Sequence, residues 1–308
     1  MFELPRQAGT TFNRRDIMTD KNETEVISSL GELFKIFGNQ ALDQGSAPRY
    51  YFRGESAYEW PLIPKLLRTS TLEGEYGMPG VIKDELSVNS IQRRILQRLK
   101  RYAVHLYLQH NRPWQGEHPS DWEWLCVAQH HGLPTLLSDW TINPLVALYF
   151  SAWKSTRKED GAFYVMELRD KQFRDSKNLS IRIGQNLDAH PKMNLLEDVT
   201  KPLIVVPLVF TRRIEAQASR FIYAGHAGKL DPNRKTQREA SHEDEIFRAA
   251  ALDKLSSPIL PWSIIRKYRV LVDAKVNILR QLRNAQIHHG TLFPDLDGYS
   301  AYLASGGD

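Results

Sequence analysis

Between Trp122 and Trp153 two strongly apolar segments flank a polar, aromatic-rich stretch, and no other region narrows the possible folds as much. Residues 122–130 read as a helix entered through Pro119-Ser120-Asp121, with Ser120 or Asp121 as its cap. Residues 143–153 read as a second helix, with Asn143 as N-cap and Pro144 in the first helical position. Between them the chain must turn at His131-Gly132-Leu133-Pro134-Thr135 and run a short strand through Leu136-Leu137-Ser138-Asp139-Trp140. A helix, a turn, a strand and a helix in about thirty residues require a mixed α and β architecture.

The surrounding pattern extends this reading. Helical spacing covers residues 24–38, closed by Gly38, and again 83–110, where Ile91, Ile95, Leu99, Tyr102 and Leu106 recur among Lys and Arg. Tyr50-Tyr51-Phe52-Arg53-Gly54 is an aromatic-rich strand candidate. Two prolines bar a regular helix from Trp60 to Pro64. Later segments, 162–168, 203–210, 220–224 and 268–273, are short and rich in Val, Ile, Tyr or Phe, as strands are. Residues 243–254 and 275–284 look helical, and 231–241 reads as a mobile loop. The expectation is one α+β domain over 21–308, helical in its first half and sheet-rich in its second. A flexible polar lead-in over 1–20 would precede it, with a helical insertion around 83–130.

Composition then limits the function classes. Lys and Arg number 41 against 36 Asp and Glu, a formal charge of +5 that suits an anionic ligand or nucleic acid without requiring either. The single cysteine, Cys126, excludes an internal disulfide and a multi-cysteine zinc module, and its apolar neighbours mark it as a small buried hydrophobe. No apolar run is long enough to span a bilayer, so a cytoplasmic protein with no membrane partner is expected. There is no Walker A, GxGxxG, HExxH or GxSxG sequence. His130 and His131 are adjacent and diverge on a helix, so no shared metal is expected.

The candidate chemistry falls in four places. Arg53 ends an apolar strand, either salt-bridged to a carboxylate such as Glu55 or gripping phosphate through its guanidinium fork, with Gly54 admitting a ligand to the backbone. Arg68 is a second clamp or a solvated side chain. In the block 129–141, Gln129, His130, Thr135, Ser138 and Asp139 either hold the turn by local bonds or form a pocket wall where Trp140 stacks on a flat ring. Arg213 and Gln217 follow the most apolar strand, and Glu243 and Glu245 sit at a helix start, where capping is the plainer role.

These residues carry a resemblance. Phe52-Arg53-Gly54, Leu62-Ile63-Pro64 with Arg68, and residues 128–152 are similar to the FRG-domain family, with Ser138 in place of the usual leucine. Arg213-Ile214, Gln217 and Phe221 follow a further family pattern, in which Ser219 replaces a glycine, and Leu292 to Gly298 resembles a C-terminal signature. The likeness extends over about residues 45–300. It implies a distant similarity to ADP-ribosyltransferases, with a split sheet and NAD as the substrate. Arg53 would then grip the NAD diphosphate or its ribose. His130 and Asp139 would orient ribose hydroxyls, Trp140 or Tyr51 would stack on nicotinamide, and Gln217 or Glu245 would steady the positive ribose carbon. The acceptor would be a protein or a nucleic acid, in a phage-defence or toxin setting. A nucleotide- or nucleic-acid-binding sensor without catalysis, using the basic helix Arg93-Arg94, Arg98, Lys100 and Arg101, is the alternative. A metal-dependent nuclease on Glu55 and Asp139 is a third.

Overall fold

The computed structural model describes residues 26–37, 50–60, 62, 64–67, 88–110, 120–153, 158–168, 180–182, 203–207, 209, 211–223 and 263–306. Arg68, Gly38, Glu245, the lead-in 1–20, the loop 231–241 and the helix expected over 243–254 lie outside them.

Among the described residues, eight strands form one mixed sheet. They are β1 Val26–Ile27, β2 Tyr50–Glu55, β3 Leu137–Thr141, β4 Gly161–Leu168, β5 Ser180–Arg182, β6 Leu203–Val206, β7 Ser219–Tyr223 and β8 Ser263–Val270, in the order β1-β8-β4-β2-β3-β7-β6-β5. The outermost pairs, β1 with β8 and β5 with β6, are parallel and the rest antiparallel. The helices are α1 Leu30–Phe37, α2 Val88–His110, α3 Asp121–His130, α4 Pro144–Ala152, α5 Arg212–Ala216, α6 Lys275–Asn284, α7 His289–Leu292 and α8 Leu296–Ala304. The architecture is α+β, as expected. No helix among the described residues is long and apolar enough to cross a membrane.

The sheet is split in its middle. β2 pairs with β4 over six residues and β3 with β7 over five, whereas β2 meets β3 only where Phe52 opposes Thr141. Strand alternation and that one pair place Phe52, Thr141, Asp139 and Leu137 on the same face. On that face each half has its own core. Phe52, Phe163, Val165 and Tyr268 pack with α1, α4 and α6, while Leu137, Val205, Phe221 and Tyr223 pack with α2 and α3. The opposite face carries one continuous cluster across the split, including Tyr51, Trp140, Tyr164, Ile204, Ile222 and Ile265.

Local chemistry sets the element ends. Ser120 caps α3 in a full capping box with Glu123, and Asn143 Oδ1 accepts from the Leu145 N–H at 2.9 Å to open α4. The helix expected from residue 24 begins only at Leu30. Ser29 Oγ accepts from the Glu32 N–H at 3.2 Å, and Val26 and Ile27 instead pair with Arg269 and Val270. β8 starts earlier than its sequence pattern suggests and stops at Val270, because Asp160 Oδ1 takes the Val272 N–H at 2.8 Å and starts a turn. The second half also holds α5, α7 and α8, short helices with too few turns for their periodicity to show.

Gly54 serves packing rather than ligand access. A Cβ there would lie 1.9 Å from the Ala147 carbonyl oxygen and 2.6 Å from the Ser151 nitrogen, so α4 crosses β2 backbone against backbone. Gly54→Ala should therefore destabilise the chain by at least about 3 kcal/mol, or prevent folding. An unchanged urea midpoint in that variant would contradict the close crossing of α4 over β2.

Candidate functional site

The turn after α3 is a helix stop that aims two polar side chains. Gly132 has φ +79° and follows the C-cap His131. Its N–H donates to the Gln129 carbonyl at 3.0 Å, and the Leu133 N–H donates to the Ala128 carbonyl at 2.9 Å. These two bonds form a Schellman motif, which needs glycine at this position, and Pro134 bars the helix from continuing. Gln129 and His130 are thereby held in the last turn of α3, with Gln129 within reach of Asp139 in the middle of β3.

A relay of hydrogen bonds then runs from the backbone to Asp139. Thr135, fully buried, accepts the Leu137 N–H at 3.0 Å and donates through Oγ1 to Gln129 Oε1 at 2.6 Å. Gln129 Nε2 donates to Asp139 Oδ2 at 2.8 Å. The accessible surface of Asp139 marks it as exposed, yet protein mass around it still pushes its carboxyl above the ordinary range. It is an acid at the floor of an open recess. Arg53, the bond from Gln129 and Arg213 oppose the rise.

The recess lies where the two helical groups part. Arg213, on α5, sits on the Phe293 ring, with its guanidinium carbon 4.5 Å from the centroid. Its Nε is buried with no hydrogen-bond partner among the described residues. Burial pulls the guanidinium below its ordinary value, and Asp139 and Asp295 restore part of it. His130 Nε2 lies 3.2 Å from Oγ1 of Thr211, the N-cap of α5. Burial, Arg213 and His131 push His130 down to about 4, so its imidazole is neutral at pH 7. Behind Phe293 stands His289, stacked at 4.3 Å, whose Nδ1 is 3.1 Å from the Tyr149 hydroxyl.

Other expected site residues turn inward. Arg53 is salt-bridged, the first of the two roles open to it. Nε and Nη2 donate to Glu55 Oε1 at 3.0 and 2.5 Å, and Nη1 donates to the Asp139 carbonyl at 2.6 Å. Its side chain is 11% exposed, so it has little room to clamp an anion. Burial works against its charge, and Glu55 and Asp139 more than offset that and hold the guanidinium above its usual value. Ser138 and Trp140 alternate to the face opposite Asp139. There Trp140 Nε1 donates to Ser138 Oγ at 3.1 Å, and Ser138 Oγ donates to the Ile222 carbonyl at 3.3 Å. Trp140 is 4% exposed and Tyr51 6%, so neither ring is open for stacking. Gln217 donates to the Leu292 carbonyl at 3.0 Å, and its own carbonyl accepts from Thr141 at 2.7 Å. The structure thus brings Gln129, His130, Thr135, Asp139 and Arg213 together. Phe293, Asp295 and Thr211 were not foreseen in this role. Leu292 to Gly298 stood out only as a signature, with nothing to say what it packs against. No group of three or more His, Cys, Asp or Glu able to hold a metal occurs among the described residues.

Burial of His130 gives a pH test. Between about pH 4 and 6.5 the unfolded chain protonates this histidine and the folded chain does not, so its contribution makes stability rise with pH across that window. His131 and His289 add in the same direction, and Asp139, raised, works in the opposite one. The comparison with His130→Gln therefore carries the test. The urea midpoint of the variant should climb less over this range than that of the parent, and identical climbs would refute the burial account.

Residues 48–160 match the family model of the FRG domain. That span holds β2, α3, β3 and α4, and so Arg53, Gln129, His130 and Asp139, whereas Arg213 and Phe293 lie beyond it. No curated protein and no solved structure matches the chain. The tripeptide Phe52-Arg53-Gly54 and the block around Asp139 thus fall within one recognised unit: this chain carries an FRG domain.

Proposed function

We propose that the recess binds NAD and that the chain transfers ADP-ribose from it to an acceptor macromolecule. The observation that carries this reading is Asp139, an accessible carboxylate with one oxygen held by Gln129, beside an arginine whose buried Nε has no hydrogen-bond partner among the described residues. Arg213 suits a diphosphate, since its stem and plane are steadied on Phe293 while its donors can reach an anion. Asp139 Oδ1 has no bond among the described residues and can accept a ribose hydroxyl.

In the transfer, the bond between ribose C1′ and the nicotinamide nitrogen breaks. Its electron pair leaves with nicotinamide, which becomes neutral. Positive charge grows on C1′ and is steadied by the fixed carboxylate of Asp139. A lone pair of the acceptor bonds C1′, and its proton passes to water or to that carboxylate. Asp139 thereby takes the part that the family resemblance gave to Gln217 or Glu245. Arg53 acts as a positioning residue, because it holds the carbonyl of Asp139.

Release of nicotinamide from NAD, with and without protein or nucleic-acid acceptors, tests the proposal. Asp139→Asn should lower kcat by about 100-fold or more. Arg213→Ala should raise KM by roughly tenfold, with a smaller change in kcat. Absence of both nicotinamide release and NAD binding by calorimetry would refute it. A second reading, nucleotide binding without transfer, is favoured by the internal commitments of Arg53 and Gln217. NAD binding with no nicotinamide release is its signature.

A further inference from the structure

We infer that the outer face of α2 is a binding surface for single-stranded nucleic acid. Ile91, Ile95 and Leu96 bury one side of this helix against α3. At 100° per residue the opposite side carries Arg94, Gln97, Arg98 and Arg101, all exposed, with Arg93 beside them. The 23-residue helix contains no Asp or Glu. Lys100, at the margin, pairs with Asp121. Among the described residues no carboxylate pairs with Arg94, Arg98 or Arg101.

Arg94 and Arg98 are four apart, and Arg98 and Arg101 three, so each neighbour repels the next. Such a face gains from a polyanion that cancels the repulsion. The cations extend over about 10 Å, enough for consecutive phosphates of one strand. Guanidinium forks suit phosphate oxygens better than ammonium groups do. Apolar side chains are missing from the centre of the face, so it lacks the wedge with which an amphipathic helix enters a bilayer. Tyr102, four residues beyond Arg98 and in line with Ile91 and Ile95, is nonetheless 68% exposed, a flat ring on which an unpaired base can stack. Neither NAD nor the recess enters this inference.

Fluorescence anisotropy of a labelled 20-nucleotide single strand, read on the full chain without NAD, tests it. Binding should weaken with salt at a log–log slope of about −2, as expected for three phosphates on one strand. The triple variant Arg94→Glu, Arg98→Glu, Arg101→Glu should lose at least about tenfold in affinity, with its thermal midpoint kept because all three side chains are exposed. Tyr102→Ala should lose roughly tenfold. The inference falls if the strand does not bind at about 50 mM salt, or if the triple variant binds as the parent does. Binding to phosphatidylserine vesicles in place of the strand would also overturn it. Because no nucleotide substrate is present, these outcomes are independent of nicotinamide release.

Discussion

Arg53 spans the place where the sheet comes apart. β2 and β3 share one paired position, and beyond it Asp139 has β7 on one side but no ladder partner in β2 on the other. Arg53 Nη1 takes the Asp139 carbonyl, while Glu55 balances the guanidinium charge in a setting where an unpaired ion would be costly. The bond does two things together. It keeps the two halves of the sheet in register across the split, and it holds the middle of β3, from which Asp139 points into the recess. The same arginine cannot do this and also offer its fork to a ligand, whereas Arg213 lies close enough to Asp139 to favour its charge.

The recess follows from how the two halves are covered. Helices α1, α4 and α6 serve one core, and α2 and α3 serve the other, so the covering layer has a seam above the split. Polar groups gather along that seam because neither core can bury them. Thr135 and Gln129 anchor the carboxylate from the α3 side, while Arg213 on Phe293 and Asp295 bound it from the C-terminal side. A buried threonine that orients a glutamine that orients an aspartate is a fixed electrostatic arrangement. Little reorganisation would be needed when charge develops next to it.

Much of this was legible in residues 120–153. Asn143 and Pro144 are strong local helix signals and capping acts within three or four residues, so the start of α4 could be read directly and that of α3 to within one residue, at Ser120 or Asp121. The importance of Gln129, His130 and Asp139 could be read from their density in an apolar setting, but their geometry could not. Trp140 illustrates the difficulty. An aromatic next to Asp139 invites a stacking role, yet adjacent strand residues face opposite ways, so the neighbour of a pocket residue belongs to the core. Val26 and Ile27 were drawn into a strand by a partner some 240 residues away, which no helical periodicity can signal.

The sequence alone determined the mixed α and β class, the stop at Gly132, the cap of α4, the choice of Ser120 or Asp121 for that of α3, and the polar block that contains the candidate site, because each is written in residues close together in the chain. The tertiary structure decided which arginine is sequestered and which faces the recess. It also decided that Gly54 makes room for α4 rather than for a ligand, and that Phe293 and Asp295 come beside Asp139. Those outcomes turn on packing between segments distant in the chain, where charge pairing, strand facing and backbone contact are settled only when the elements meet.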